Sequence, residues 1–144
     1  MSFVKKIFLL VSILILSCNS DDDTNPIESN CESQAIIDLV TFQLIQTSNY
    51  GINSVIINEN CIEIKISSSG CDPNNWIMNF KTVPSTTAVS PHLFHAKVEL
   101  INNEECLAVY EKTRSFDLTP LQIQGQNSIQ LQIQEWNTPV IYNY

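Results

Sequence analysis

The chain has 144 residues and a formal charge of −8, from 7 lysines and arginines against 15 aspartates and glutamates. A chain this acidic, with no basic stripe, is repelled by phosphate backbones, so nucleic-acid binding is excluded. The length suits a single domain of ~100–150 residues.

At the N-terminus, Lys5 and Lys6 precede an apolar run from Ile7 to Leu16 broken only by Ser12. This is a signal-peptide layout, a basic region followed by roughly 7 to 15 apolar residues and then small residues at the cut. At ~1.5 Å per helical residue the run is too short to cross a hydrocarbon core of ~30 Å. Ile15-Leu16-Ser17-Cys18 resembles the lipobox of bacterial lipoproteins, with isoleucine where leucine is usual. The resemblance implies that Cys18 is lipidated and begins the mature chain, which is then held at a membrane by its acyl chains. Asn19-Ser20-Asp21-Asp22-Asp23 resembles the acidic export signal of surface lipoproteins of the Bacteroidota, in particular flavobacteria. Ser20, Asp21, Asp22 and Asp23 are thus expected to direct display on the outside of the outer membrane. Residues 1–17 carry two lysines and no acid, so their removal takes the charge from −8 to −10. The expected organisation is a signal peptide over 1–17, a lipidated acidic tether over 18–30, and a domain over 31–144.

Beyond Cys18, the cysteines are Cys31, Cys61, Cys71 and Cys106. An even number in an exported chain reads as two disulfides, and the wide spacings lack the close C-x-x-C pairs of a zinc site.

The stretch SQAIIDLVTFQLIQTS, 33–48, is ambiguous between a helical stripe of Ile36, Ile37, Val40 and Leu44 and a strand carrying Val40, Phe42 and Leu44; a short helix is expected. Strict alternation then marks strands. CIEIKIS sets Ile62, Ile64 and Ile66 against Glu63 and Lys65, and SIQLQIQ sets Ile129, Leu131 and Ile133 against Gln130, Gln132 and Gln134. Less regular runs lie at 53–58, 76–81, 93–101, 106–112 and 139–144. Turn-forming clusters separate them at 67–75, 83–91, 102–105 and 124–127. The predicted fold is mainly β, an antiparallel sandwich or barrel of about seven strands.

Four cysteines allow three pairings. If 61–67, 76–82 and 93–101 run as consecutive antiparallel strands, with 106–112 returning after NNEE, then Cys61 and Cys71 stand about 20 Å apart at ~3.3 Å per residue. A disulfide requires Cα atoms within ~7 Å, so that pair is disfavoured. Cys71 and Cys106 share one edge of such a layout, and Cys61 is left for Cys31.

From Asn53 onward the chain resembles a group of uncharacterised lipoproteins of flavobacteria. The resemblance rests on NCIEIKISSSGC followed by Trp76, on ECLAVYEKTRSFDLTPLQ, and on the closing strand with Trp136 and VIYNY. It implies a domain type and no assigned activity.

Residues for chemistry are sparse. His92 and His95 form an H-x-x-H, but three residues apart on a strand they face opposite ways; His95, Lys97 and Glu99 read as a solvated face. Asp72, Asn74, Asn75, Glu104 and Glu105 supply oxygens in two turns without the ordered spacing of a calcium loop. Asp117 reads as a strand end or a cap before Pro120. There is no G-x-S-x-G elbow and no phosphate-binding glycine loop. The chain is therefore expected to be neither an enzyme nor a holder of a metal or cofactor. Two function classes remain. One is a surface binding module for a glycan, a peptide or a protein partner, with Trp76 as the foremost binding candidate beside Tyr142, Tyr144 and Trp136, the last of which reads as core packing or sheet-edge filling. The other is a structural or inhibitory envelope protein without a small ligand.

Overall fold

The alternation in CIEIKIS is realised: Ile62, Ile64 and Ile66 are fully buried, while Glu63 and Lys65 lie on the wet face. The computed structural model describes residues 30–144. The signal segment, Cys18 and the run Ser20, Asp21, Asp22 and Asp23 lie outside the described residues. Among the described residues the strands are β1 Ser33–Gln34, β2 Ile36–Ile37, β3 Gly51–Asn58, β4 Cys61–Ser69, β5 Ile77–Pro84, β6 His92–Ile101, β7 Val109–Asp117, β8 Ser128–Ile133 and β9 Val140–Asn143. They form two facing sheets, ordered β1-β7-β4-β3 and β2-β5-β6-β8-β9. The fold is a sandwich and not a closed barrel.

Period-two patterning makes the core. Ile62, Ile64, Ile66 and Phe116 face inward from the first sheet; Met78, Phe80, Val98, Ile129, Leu131 and Ile133 face them from the second. Phe80 and Phe116 meet across the gap with ring centroids 5.6 Å apart. Burying such side chains contributes about 1.5–3 kcal/mol each relative to exposure, which is what holds the sheets together.

Three details correct the sequence-based expectation. First, the sheets are mixed: β1–β7, β2–β5 and β6–β8 pair in parallel. Second, the strand expected at 106–112 begins at Val109 and runs to Asp117. Third, 33–48 holds no α-helix. Ser33–Gln34 joins the first sheet beside Phe116 and Asp117, and the chain crosses at buried Ala35. Ile36–Ile37 then joins the second sheet beside Lys81 and Thr82. A helix here would need an apolar surface to receive its stripe, and the strands have already filled the core. Two open sheet edges instead offered ladder partners to a β-branched segment. After β2, only a 3-10 turn forms, at Phe42–Leu44.

The disulfides are Cys31–Cys61 and Cys71–Cys106, with Cα separations of 5.6 and 5.0 Å. These are the expected pairs, but the layout behind them is revised, because β4 neighbours β7 rather than β5. The β4–β7 ladder runs from Cys61 opposite Asp117 to Ser69 opposite Val109. One disulfide lies at each end of that ladder.

Candidate functional site

Trp76 was the foremost binding candidate, and the structure places it elsewhere: its side chain is only 2% exposed and belongs to the core. Its indole N–H donates to Glu104 Oε2 at 3.0 Å. The same oxygen accepts the backbone N–H groups of Cys71 (2.7 Å) and Asp72 (3.0 Å), and Glu104 Oε1 accepts from the Asn75 side chain (3.1 Å). Gly70 permits this approach, because a Cβ there would stand 2.7 Å from both Glu104 Oε2 and the Trp76 ring. The two acidic turns therefore do meet, but around a carboxylate enclosed by N–H donors. Those donors stabilise the anion and occupy its oxygens, the opposite of a cation's oxygen shell.

The donors, led by the Asp72 backbone N–H, hold the Glu104 carboxyl down at about 2 from an ordinary 4.5. With the folded value depressed, the stabilisation is present above pH 4.5 and lost as the pH falls toward 2. Glu104→Gln should flatten the acid limb of the melting-temperature profile across that window. An unchanged limb would show that the carboxylate is not held this way.

His92 and His95 fall on opposite faces of β6. His92 packs edge-on to Phe94 with centroids 5.4 Å apart, and His95 is exposed. Asp117 ends β7 and caps the following turn, accepting from the backbone N–H and the hydroxyl of Thr119, both at 2.9 Å. Tyr142 is buried, donating to Asn60 Oδ1 (2.6 Å) and accepting from Gln122 (2.7 Å), and burial raises its pKa. The Tyr144 hydroxyl accepts from the Ile123 backbone N–H at 2.9 Å. These aromatics hold the fold together.

The outer face of β5 and β6 shows what the sequence did not. Lys97, read as solvated, is 8% exposed, and it lies directly opposite Lys81 in the ladder. Like charges so placed repel unless each is turned to its own acceptor. The 38–45 segment supplies both acceptors. Asp38 Oδ2 receives Lys81 Nζ at 2.8 Å, and the carbonyls of Phe42 and Ile45 receive Lys97 Nζ at 3.1 and 3.3 Å, with the Phe42 ring 5.0 Å from that nitrogen. The Lys81 bond and the Thr41 hydroxyl depress the Asp38 pKa well below the ordinary carboxylate value. Asp38 Oδ1 also accepts the N–H groups of Val40 (3.1 Å) and Thr41 (2.7 Å). Two lysines thus clamp a loop whose backbone is fixed at several points.

What that loop presents is apolar. Leu39, Val40 and Leu44 are 74%, 86% and 74% exposed, and Ile36 and Ile37 beside them are also exposed. Around the loop's other side lies a concavity of about 460 Å³. Phe42, Gln43, His95, Gln132, Gln134 and Trp136 are among its lining residues. Of the four tryptophan and tyrosine candidates, only Trp136 lines it, from a half-buried position.

Fold and surface together define a disulfide-bonded β-sandwich that carries a clamped apolar loop beside an amide-lined hollow. Two solved structures share the sandwich. One is a protein of unknown function, DUF1344, from Bacteroides vulgatus ATCC 8482, at a TM-score of 0.53 and 13% identity over 78% of this chain. The other is a NigD-like immunity protein from Bacteroides caccae ATCC 43185, at a TM-score of 0.52 and 8% identity over 76% of this chain. The matches cover 56% and 57% of those proteins, little more than half of either. At these identities the likeness is one of fold. No family model matches the chain, and no curated protein is similar to it.

Proposed function

We propose that this chain is a lipid-anchored envelope protein, displayed at the cell surface through Cys18, that works by gripping another protein rather than by catalysis. The anchor reading rests on Lys5, Lys6, the apolar run to Leu16, the lipobox-like Ile15–Cys18 and the aspartates at 21–23. Two disulfides accord with export, since such bonds persist in oxidising compartments.

One observation carries the contact reading: Leu39, Val40 and Leu44 face solvent from a loop that is hydrogen-bonded into place. Apolar side chains on a slack loop would fold back or cost little to leave loose. On a clamped loop their display is already ordered, so a partner that buries them loses less conformational freedom on binding. Small clusters of such anchors dominate the energetics of protein interfaces. The shared fold of an immunity protein is in keeping with a chain that acts by blocking another protein.

The test is a double substitution, Leu39→Asp with Val40→Asp. Both positions are exposed, so the melting temperature should stay within a few degrees of the wild-type value, while the partner captured by cross-linking on intact cells should be lost. A double variant that captures the same partner as well as wild type contradicts the reading.

A further inference from the structure

The hollow beside the loop is a different surface with different chemistry, and its argument does not rest on the protein-contact reading. We propose that it binds an uncharged polyol, the hydroxyl-bearing face of a neutral sugar.

The groups that line it make the case. Four primary amides, those of Gln43, Gln132, Gln134 and Asn137, surround one indole, that of Trp136. Among the described residues, only Gln134 of the four spends a side-chain N–H inside the protein, on Thr47 Oγ1 at 3.0 Å. Each carboxamide sets one acceptor and two donors in a plane, and a hydroxyl is at once donor and acceptor. A pair of neighbouring hydroxyls can therefore exchange two hydrogen bonds with one amide. The two ionic groups named in the lining differ in access, Lys97 being buried and Glu135 exposed. Lys97 spends N–H bonds on two carbonyls, and Glu135 accepts from the Thr47 hydroxyl at 3.2 Å. Glu135 thus keeps an exposed, unneutralised carboxylate at the rim, and the chain carries a charge of −8, so an anionic ligand is disfavoured there.

Trp136 supplies the apolar surface for the C–H face of a sugar ring. It packs against the core while lining the hollow, so its position is fixed before any ligand arrives. Its backbone N–H donates to the Ile133 carbonyl at 3.2 Å, and the preceding Glu135 takes a φ of 68°. That left-handed conformation is uncommon outside glycine, and here it turns the chain at the end of β8 so that Trp136 and Asn137 close one side. Gln132 stands beside His95 in the β6–β8 ladder, which sets the floor.

The probes are soluble dextran, laminarin, mannan and xylan in native affinity gels, with polygalacturonate and heparin as charged controls. At least one neutral polymer should retard the disulfide-bonded protein, and neither charged polymer should do so more strongly. Gln132→Ala, at a half-buried position, and Asn137→Ala, at an exposed one, should each weaken retardation about tenfold, the equivalent of one lost hydrogen bond. Trp136→Ala should abolish it. The Leu39→Asp, Val40→Asp variant should be retarded as wild type is, which separates this site from the loop. Absence of retardation by every neutral polymer overturns the proposal, as does retardation that survives Gln132→Ala and Asn137→Ala together, or binding confined to the charged polymers.

Discussion

Replacing Trp76 with alanine is expected to destabilise the domain by about 3–5 kcal/mol, the usual cost of removing a large aromatic from a core. The side chain is buried between the strands, and its loss leaves both a cavity and a Glu104 carboxylate short of a donor. Urea titration should show the midpoint falling with little change in slope. The comparison with Trp136→Ala is the informative one, because that residue is only half-buried and should cost markedly less. Equal costs, or a Trp76 variant as stable as wild type, would mean that Trp76 is not the packed residue described here.

Loss of the Cys71–Cys106 disulfide, by substituting both residues with serine, should cost about 4 kcal/mol by the chain-entropy estimate for a loop of this length. The sequence separation is 35, against 30 for Cys31–Cys61, so the two bonds should contribute similarly. They sit at opposite ends of one strand pair, where each limits fraying of the β4–β7 ladder. Thermal melts of the double-serine variant and of the wild type under reductant measure both effects. A reduced protein that melts where the oxidised one does would contradict this account.

The strands were legible in the sequence because a residue period of two is written directly into runs such as CIEIKIS and SIQLQIQ. Their order was not, because alternation says which face is wet and nothing about which strand is the neighbour. The disulfide pairing emerged from a strand layout that placed β4 and β5 in one sheet, and the structure places them in two. The pairing holds because Cys71 and Cys106 lie just past the Ser69–Val109 end of a ladder the layout did not contain. The 33–48 segment was misread because its apolar residues do not report burial: Ile36, Val40 and Leu44 are exposed, while Ala35, Phe42 and Ile45 are buried. Lys97 sits at a wet-face position by periodicity, and only a loop distant in sequence covers it. Sequence spacing carries no sign of such a lid. The Lys81–Asp38 pair was invisible for the same reason. Trp76 opens the 76–81 run and Trp136 follows SIQLQIQ, and neither position reports which ring is buried: Trp76, favoured for binding, lies in the core, while Trp136, expected to pack, lines the hollow.

The proposed protein contact depends on the clamped 38–45 loop. Site-specific incorporation of a photocrosslinking phenylalanine analogue at Val40, with irradiation of intact cells, tests it most directly. One discrete higher-mass adduct is expected from position 40, absent when the analogue replaces Glu63 on the opposite sheet and lost when Lys81→Met and Lys97→Met release the loop. No adduct at position 40, or the same adduct from Glu63 or from the unclamped loop, would contradict it.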